Sequence, residues 1–143
     1  MLKLKKSDLL CPHCFIRDAW VNADSGKTVE VTNPATGEVI GTVPFCGADE
    51  TKRAIDAANE SLDAWRSKTA GERSVILRKW HDLLMENQED LAMIMTAEQG
   101  KPLAESRGEI SYAAGFFEWF AEEAKRVYRS EERRVGKECR SRW

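Results

Sequence analysis

Between Phe15 and Val43 the apolar residues come in short alternating runs divided by turn-forming clusters, which is the period of strands. Phe15–Val21 carries aromatic and β-branched residues and reads as a first strand. Asp24-Ser25-Gly26-Lys27 supplies a turn, and Thr28–Thr32 alternates as a half-buried strand should. Asn33-Pro34-Ala35-Thr36-Gly37 is a second turn. Glu38–Val43 is the third strand, which Pro44 is expected to end because it has no N–H for a ladder.

After Gly47 the period lengthens. Ile55, Ala58, Leu62 and Trp65 recur at helical spacing, with Asp49 as the expected cap and Glu50 in the opening turn. Thr69 and Glu72 form a capping box for a second helix, whose apolar face runs through Ile76, Trp80, Leu83 and Leu84. A third helix through Leu91, Ile94 and Met95 should stop at Gly100. Pro102 then opens a fourth through Ile110, Ala113, Phe117, Phe120, Ala121 and Ala124 towards Tyr128. The expected class is therefore α+β, a short β meander followed by about four helices. Trp80, Phe116, Phe117, Trp119 and Phe120 have too little sheet to cover them, which implies a missing partner layer.

Composition narrows the function. The chain has 143 residues, room for one domain, and its net charge of -2 excludes a general nucleic-acid or anionic-membrane binder. No apolar run is long enough to span a bilayer, and Ser7 and Asp8 interrupt the basic start before a signal-peptide core develops. The expected location is cytoplasmic. Residues 1–14 form a lead and residues 15–128 the domain. Residues 129–143 form a basic, nearly apolar-free tail, read as solvated and disordered, with contact to an acidic partner as the other reading.

Candidate chemistry is sparse. Cys11-Pro12-His13-Cys14 has the spacing of a redox pair or half a zinc site, but it precedes a strand-like run. Cys46 and His81 are the only further ligands that could complete a zinc site, and they fit no standard spacing, so incidental cysteines are the blander reading. His81 beside Asp82 reads as a surface or boundary residue. Glu122-Glu123 near Lys125 and Arg126 reads as a solvated face with local ion pairs. No glycine set forms a phosphate cradle.

A resemblance adds what these residues cannot supply. Val31-Thr32-Asn33-Pro34-Ala35-Thr36-Gly37-Glu38, Gly47–Thr51, Ala54–Ala58, Ala64-Trp65-Arg66 and Thr96–Glu105 resemble the aldehyde dehydrogenase superfamily in order and spacing. Gly108–Ala114 and Glu118–Glu123 are particularly similar to bacterial succinate-semialdehyde dehydrogenases. The resemblance implies the N-terminal part of that α/β fold, wrapping a nucleotide-binding domain and contributing to an oligomerisation arm. It implies NAD(P)-dependent oxidation of a small aldehyde by a homo-oligomer, with no nucleic-acid or membrane partner. In that reaction a cysteine thiolate adds to the aldehyde, hydride passes to NAD or NADP, and a glutamate-activated water hydrolyses the thioester.

The nucleophile, that glutamate and the cofactor loop are expected beyond the residues present, and none of Cys11, Cys14, Cys46 or Cys139 matches the nucleophile. The segment alone is expected to bind no cofactor and to be inactive. The resemblance further implies a structural monovalent cation held by the Thr32 carbonyl and the Glu98 carboxylate, with plain packing and capping as the alternative. It places Tyr112, Phe116 and Trp119 on a helix lining a substrate entrance, again with packing as the alternative. Two stretches depart from the family pattern: Leu10–Phe15 with its cysteines, and the tail after Tyr128, which reads as foreign to the family. The rival class is a free-standing helical module that docks through its aromatic face.

Overall fold

A computed structural model describes residues 2–126 of the chain. Its strands precede its helices, as the periodicity predicts, but they pair differently. Cys14–Ile16 (β1) and Ala19–Val21 (β2) form an antiparallel hairpin in which Phe15 faces Trp20. The run read as a single strand thus reverses on itself. Arg17 and Asp18 both take positive φ, 51° and 59°, the two-residue hairpin geometry whose twist suits the flanking strands. Neither is glycine or asparagine, so the turn carries no ordinary sequence signal. The Arg17 guanidinium is held 2.7 Å from the Glu60 carboxylate, and the Phe15 and Trp20 rings meet edge-on at 5.1 Å.

Thr28–Thr32 (β3) and Val39–Pro44 (β4) form a second, separate antiparallel pair with a bulge at Val31/Thr32. Two hairpins therefore replace the expected three-strand meander. The Asn33–Gly37 turn closes as expected: Asn33 N–H donates to the Glu38 carbonyl, and Gly37 N–H to the Asn33 carbonyl at 2.8 Å. The Asn33 side chain accepts from Ala35 N–H, and Gly37 sits at φ 73°. Pro44 is the last strand residue and stands opposite Thr28. The ladder skips its missing donor and resumes with Phe45 N–H on the Lys27 carbonyl.

Four helices follow: Ala48–Ser67 (α1), Ala70–Glu86 (α2), Gln88–Gln99 (α3) and Leu103–Glu123 (α4). The cap of α1 is Gly47 rather than Asp49, which lies exposed in the first turn. The Glu50 side chain folds back instead, accepting from Gly47 N–H at 2.9 Å and from Asp24 N–H at 2.6 Å. One buried carboxylate thus satisfies donors from two segments and pins the β2–β3 connection to the start of α1. The Thr69–Glu72 capping box forms as expected, with Thr69 N–H on the Glu72 carboxylate and Glu72 N–H on the Thr69 hydroxyl. Gly100 ends α3 at φ 73°, and a Cβ there would sit 2.9 Å from Pro34 Cγ. Glycine is needed twice over, for the left-handed backbone and for the approach of the Asn33-Pro34 turn.

The core is built from small side chains. Its buried apolar residues are Ala23, Ala92, Ala97, Ile110, Ala114 and Ala121, joined by Ser74 and Ser106. Ser106, Ile110, Ala114 and Ala121 make one seam along α4, which packs against both α2 and α3. Ser106 is fully buried, and its hydroxyl meets that of Thr96 at 2.9 Å. Ion pairs tie the rim of this bundle: Arg78 bridges α2 to Glu118 and Glu122 on α4, and Arg107 on α4 grips Glu89 on α3. Helix α1 touches β1, is tied at its start to Asp24 by Glu50 and Arg53, and leaves most of its remaining surface exposed. The lead is anchored by Asp90, a buried carboxylate in the first turn of α3 that accepts from Lys5 N–H and Lys6 N–H at 3.0 and 2.8 Å.

Two outcomes follow from this packing. The backbone donors around Glu50 and Asp90 hold both carboxyls below their ordinary pKa. Carboxyls lowered on folding stabilise the structure above their unfolded pKa, and that contribution fades as pH falls through the lower, folded value. Far-UV circular dichroism should therefore show structure lost on acidification, with a weaker acid dependence in Asp90→Asn. Leucine at the Ser106 position overfills the seam, which costs about 1–3 kcal/mol. Ser106→Leu should lower the urea midpoint of the helical signal, whereas Phe116→Leu on the exposed face leaves it nearly unchanged.

Candidate functional site

Helix α4 divides its residues by face. The small seam faces α2 and α3, while Tyr112, Phe116 and Trp119, spaced one and two turns apart, project on the opposite side. Tyr112 is 68% and Trp119 62% exposed, far more than large aromatic residues of a finished core, and Phe116 and Phe120 are exposed beside them. The Tyr112 and Phe116 rings meet edge-on with centroids 4.8 Å apart. Trp80 on α2, itself exposed, meets the half-buried Phe117 of α4 at 4.4 Å. The three aromatic residues read as a substrate entrance thus share one surface, open rather than pocketed. Helix α1 leaves Ile55 and Leu62 exposed as well, so two helices lack covering layers.

The second predicted site lies where β3 meets α3. Glu98, exposed in the last turn of α3, lines a cleft of about 310 Å³ with Leu10, Cys11, Val31, Ile40 and Val43. Thr32 follows Val31 at the bulge of β3 and is exposed, outside the lining of that cleft. The contact of Pro34 with Gly100 brings the Asn-Pro turn and the Gln-Gly-Lys-Pro segment together, so the two stretches that resemble the family motifs are neighbours in space. Among the described residues no group of three or more His, Cys, Asp or Glu side chains could hold a metal ion.

The cysteines sort differently from their spacing. Cys14 does not face Cys11. Its sulfur lies 3.6 Å from the sulfur of Cys46, which comes from the segment between β4 and α1. Hydrogen bonding to Cys14, and then burial, push the Cys46 thiol pKa up. Cys11 turns instead to the Glu98 cleft, and His13 pairs with the Asn22 side chain at 2.8 Å. The CPHC spacing therefore marks no paired site, and the real neighbour of Cys14 is distant in sequence. Near Cys46, Asp24 takes both arms of the Arg53 guanidinium at 2.8 and 2.9 Å, which holds its carboxyl below the usual range.

The remaining candidates are ordinary surface. His81 is half-buried on α2 with its Nδ1 2.9 Å from the Asp82 carboxylate. Glu122 and Glu123 pair with Lys125 and Arg126 one turn on, and Glu122 also meets Arg78. The tail from 129 onward lies outside the described residues.

Comparison with known proteins gives this incomplete surface its context. Residues 20–142 match the model of the aldehyde dehydrogenase family. The chain is 61% identical over 127 residues to glutarate-semialdehyde dehydrogenase of Pseudomonas putida, covering 89% of this chain and 26% of that protein. It is 58% identical over the same length to the NADP(+) succinate-semialdehyde dehydrogenase of Escherichia coli, with the same coverage of each. Among solved structures, an aldehyde dehydrogenase from Brucella melitensis biovar abortus superposes with a TM-score of 0.88 at 58% identity, over 90% of this chain and 26% of that one. A succinate-semialdehyde dehydrogenase from Burkholderia pseudomallei gives 0.85 at 58% identity, over 87% and 26%. The chain therefore spans about a quarter of the length of these relatives. Its hairpins, its four helices and its uncovered aromatic face are those of the N-terminal part of a larger fold, and the chain belongs to the aldehyde dehydrogenase family.

Proposed function

We propose that this chain is the N-terminal portion of an NAD(P)-dependent dehydrogenase that oxidises a short, acid-bearing aldehyde, with succinate semialdehyde as the first substrate to try. What carries the reading is identity of 58–61% over 89% of the chain to relatives named for succinate and glutarate semialdehydes. The complete enzyme is a cytoplasmic homo-oligomer, and the remaining three quarters of its length cover the aromatic face of α4 and the exposed side of α1. The nucleophilic cysteine and the glutamate that activates water belong to that remainder, so the chain alone is inactive.

The described residues do not fit a dinucleotide. The junction from β4 to α1 through Gly47 is the place where a strand feeds a helix, as a phosphate-binding turn requires. There the Gly47 N–H is already taken by Glu50, and Asp49 and Glu50 set negative charge where a phosphate would lie. The sheets are two-stranded and antiparallel, without the parallel crevice in which such cofactors sit. NAD or NADP is accordingly held elsewhere in the complete protein.

Two placements extend the reading. Tyr112, Phe116 and Trp119 line the substrate entrance once the covering domain is present. The Thr32 carbonyl and the Glu98 carboxylate contribute to a structural monovalent cation, a chemistry that oxygen donors on adjoining segments suit. A second reading, a free-standing module that docks through the same aromatic face, is favoured only by the exposure of that face.

Absorbance of reduced cofactor, followed with succinate and glutarate semialdehyde and with NAD and NADP in turn, separates these readings. The chain alone should show no aldehyde-dependent signal, and the full-length protein that contains it should show one. Aldehyde oxidation by the chain alone, or a full-length protein inert to both semialdehydes, contradicts the proposal. In the full-length enzyme Trp119→Ala should raise KM for the semialdehyde several-fold while kcat changes little.

A further inference from the structure

We propose that Cys14 and Cys46 form a reversible disulfide that locks the β1–β2 hairpin to the start of α1. Their sulfurs stand 3.6 Å apart although 32 positions separate them in the chain. A disulfide needs roughly 2.05 Å, so a modest side-chain rotation closes the gap. Both partners are held in place by their surroundings. Cys14 opens β1 in register with Val21. Cys46 lies between Phe45, whose N–H is bonded to the Lys27 carbonyl, and Gly47, whose N–H is bonded to Glu50. Both side chains are half-buried, so a small oxidant can reach them. The bridge has a mechanical use: it adds a covalent tie between β1 and the start of α1 to the hydrogen bonds that Glu50 and Arg53 make with Asp24.

The chemistry balances with a small-molecule disulfide such as oxidised glutathione as oxidant. The Cys14 thiolate attacks one sulfur of the oxidant, forms a mixed disulfide and expels one thiolate. Cys46, whose S–H is hydrogen-bonded to Cys14 beforehand, then loses its proton and attacks the Cys14 sulfur, expelling the second thiolate. Two protein thiols surrender two electrons and two protons, and the oxidant leaves as two thiols. The raised pKa of Cys46 suits this order, with Cys14 attacking first. Nothing in the step involves catalysis, so its success or failure is independent of the dehydrogenase reading.

The test compares the partners of Cys14 and Cys46 in the full-length protein that contains the chain, native and in urea. The protein is exposed to oxidised glutathione with and without urea, free thiols are alkylated, and tryptic peptides are mapped by mass spectrometry. Cleavage after Lys6 and Arg17 leaves Cys11 and Cys14 on one peptide and Cys46 on another, so the two pairings are distinguishable. The native protein should give mainly the cross-linked pair of peptides, in Cys11→Ser as in the parent, and lose it in Cys46→Ser. In urea the internal Cys11–Cys14 link should take over, because short loops close most readily in a disordered chain. The proposal is overturned if the native sample gives the internal Cys11–Cys14 link in place of the cross-linked peptides, or if Cys11→Ser abolishes the cross-link.

Discussion

The structure depends on how closely its helices can approach. Along α4 the residues facing α2 and α3 are Ser106, Ile110, Ala114 and Ala121, and α3 answers with Ala92 and Ala97. Ile110 apart, side chains this small let the helix backbones close in, and they leave room for the Ser106–Thr96 hydrogen bond between them. They also remove little apolar surface from water, since hydrophobic gain follows the area buried, about 0.8 kcal/mol for each buried methylene. The large side chains Tyr112, Phe116 and Trp119 of α4 project the other way, and Trp80 and Phe120 are left exposed as well. Tight packing on one face and open aromatic rings on the other describe a layer within a larger protein.

Away from the bundle, buried carboxylates do what apolar packing does not. Glu50 gathers Asp24 N–H and Gly47 N–H, and Asp90 gathers Lys5 N–H and Lys6 N–H. Each fixes an irregular segment to a helix N-terminus, where the helix dipole also favours negative charge. The same anchoring around Glu50 positions Cys46 against Cys14 and leaves the β4–α1 junction without a free phosphate site. Local electrostatics thus decide both a feature the segment has and one that it lacks.

What could be read from residues was what arises between near neighbours. The Thr69–Glu72 box, the Asn33–Gly37 turn and the stop at Gly100 each come from side chains within a few positions, and all three stand as expected. The excess of aromatic residues over sheet that could cover them pointed to an uncovered surface, and Trp80, Phe116, Trp119 and Phe120 are exposed, although Phe117 is half-buried. Failures had one of two causes. The Arg17-Asp18 turn has no glycine or asparagine, and Gly47 has no side-chain oxygen to mark it as a cap, so strand propensity and the acidic Asp49 are the stronger local signals. The Cys14–Cys46 approach and the grip of Glu50 on Asp24 are non-local, and no spacing announces them, whereas CxxC suggested a pairing that the fold does not make.

The central claim is that the aromatic side of α4 is an interior surface whose cover belongs to the rest of an aldehyde dehydrogenase. Binding of the dye ANS, followed through a thermal melt of the chain by itself, addresses that surface directly. The account predicts strong dye binding at low temperature and a broad transition that shifts with protein concentration. A monomer that melts sharply and leaves the dye dark until it unfolds would contradict it.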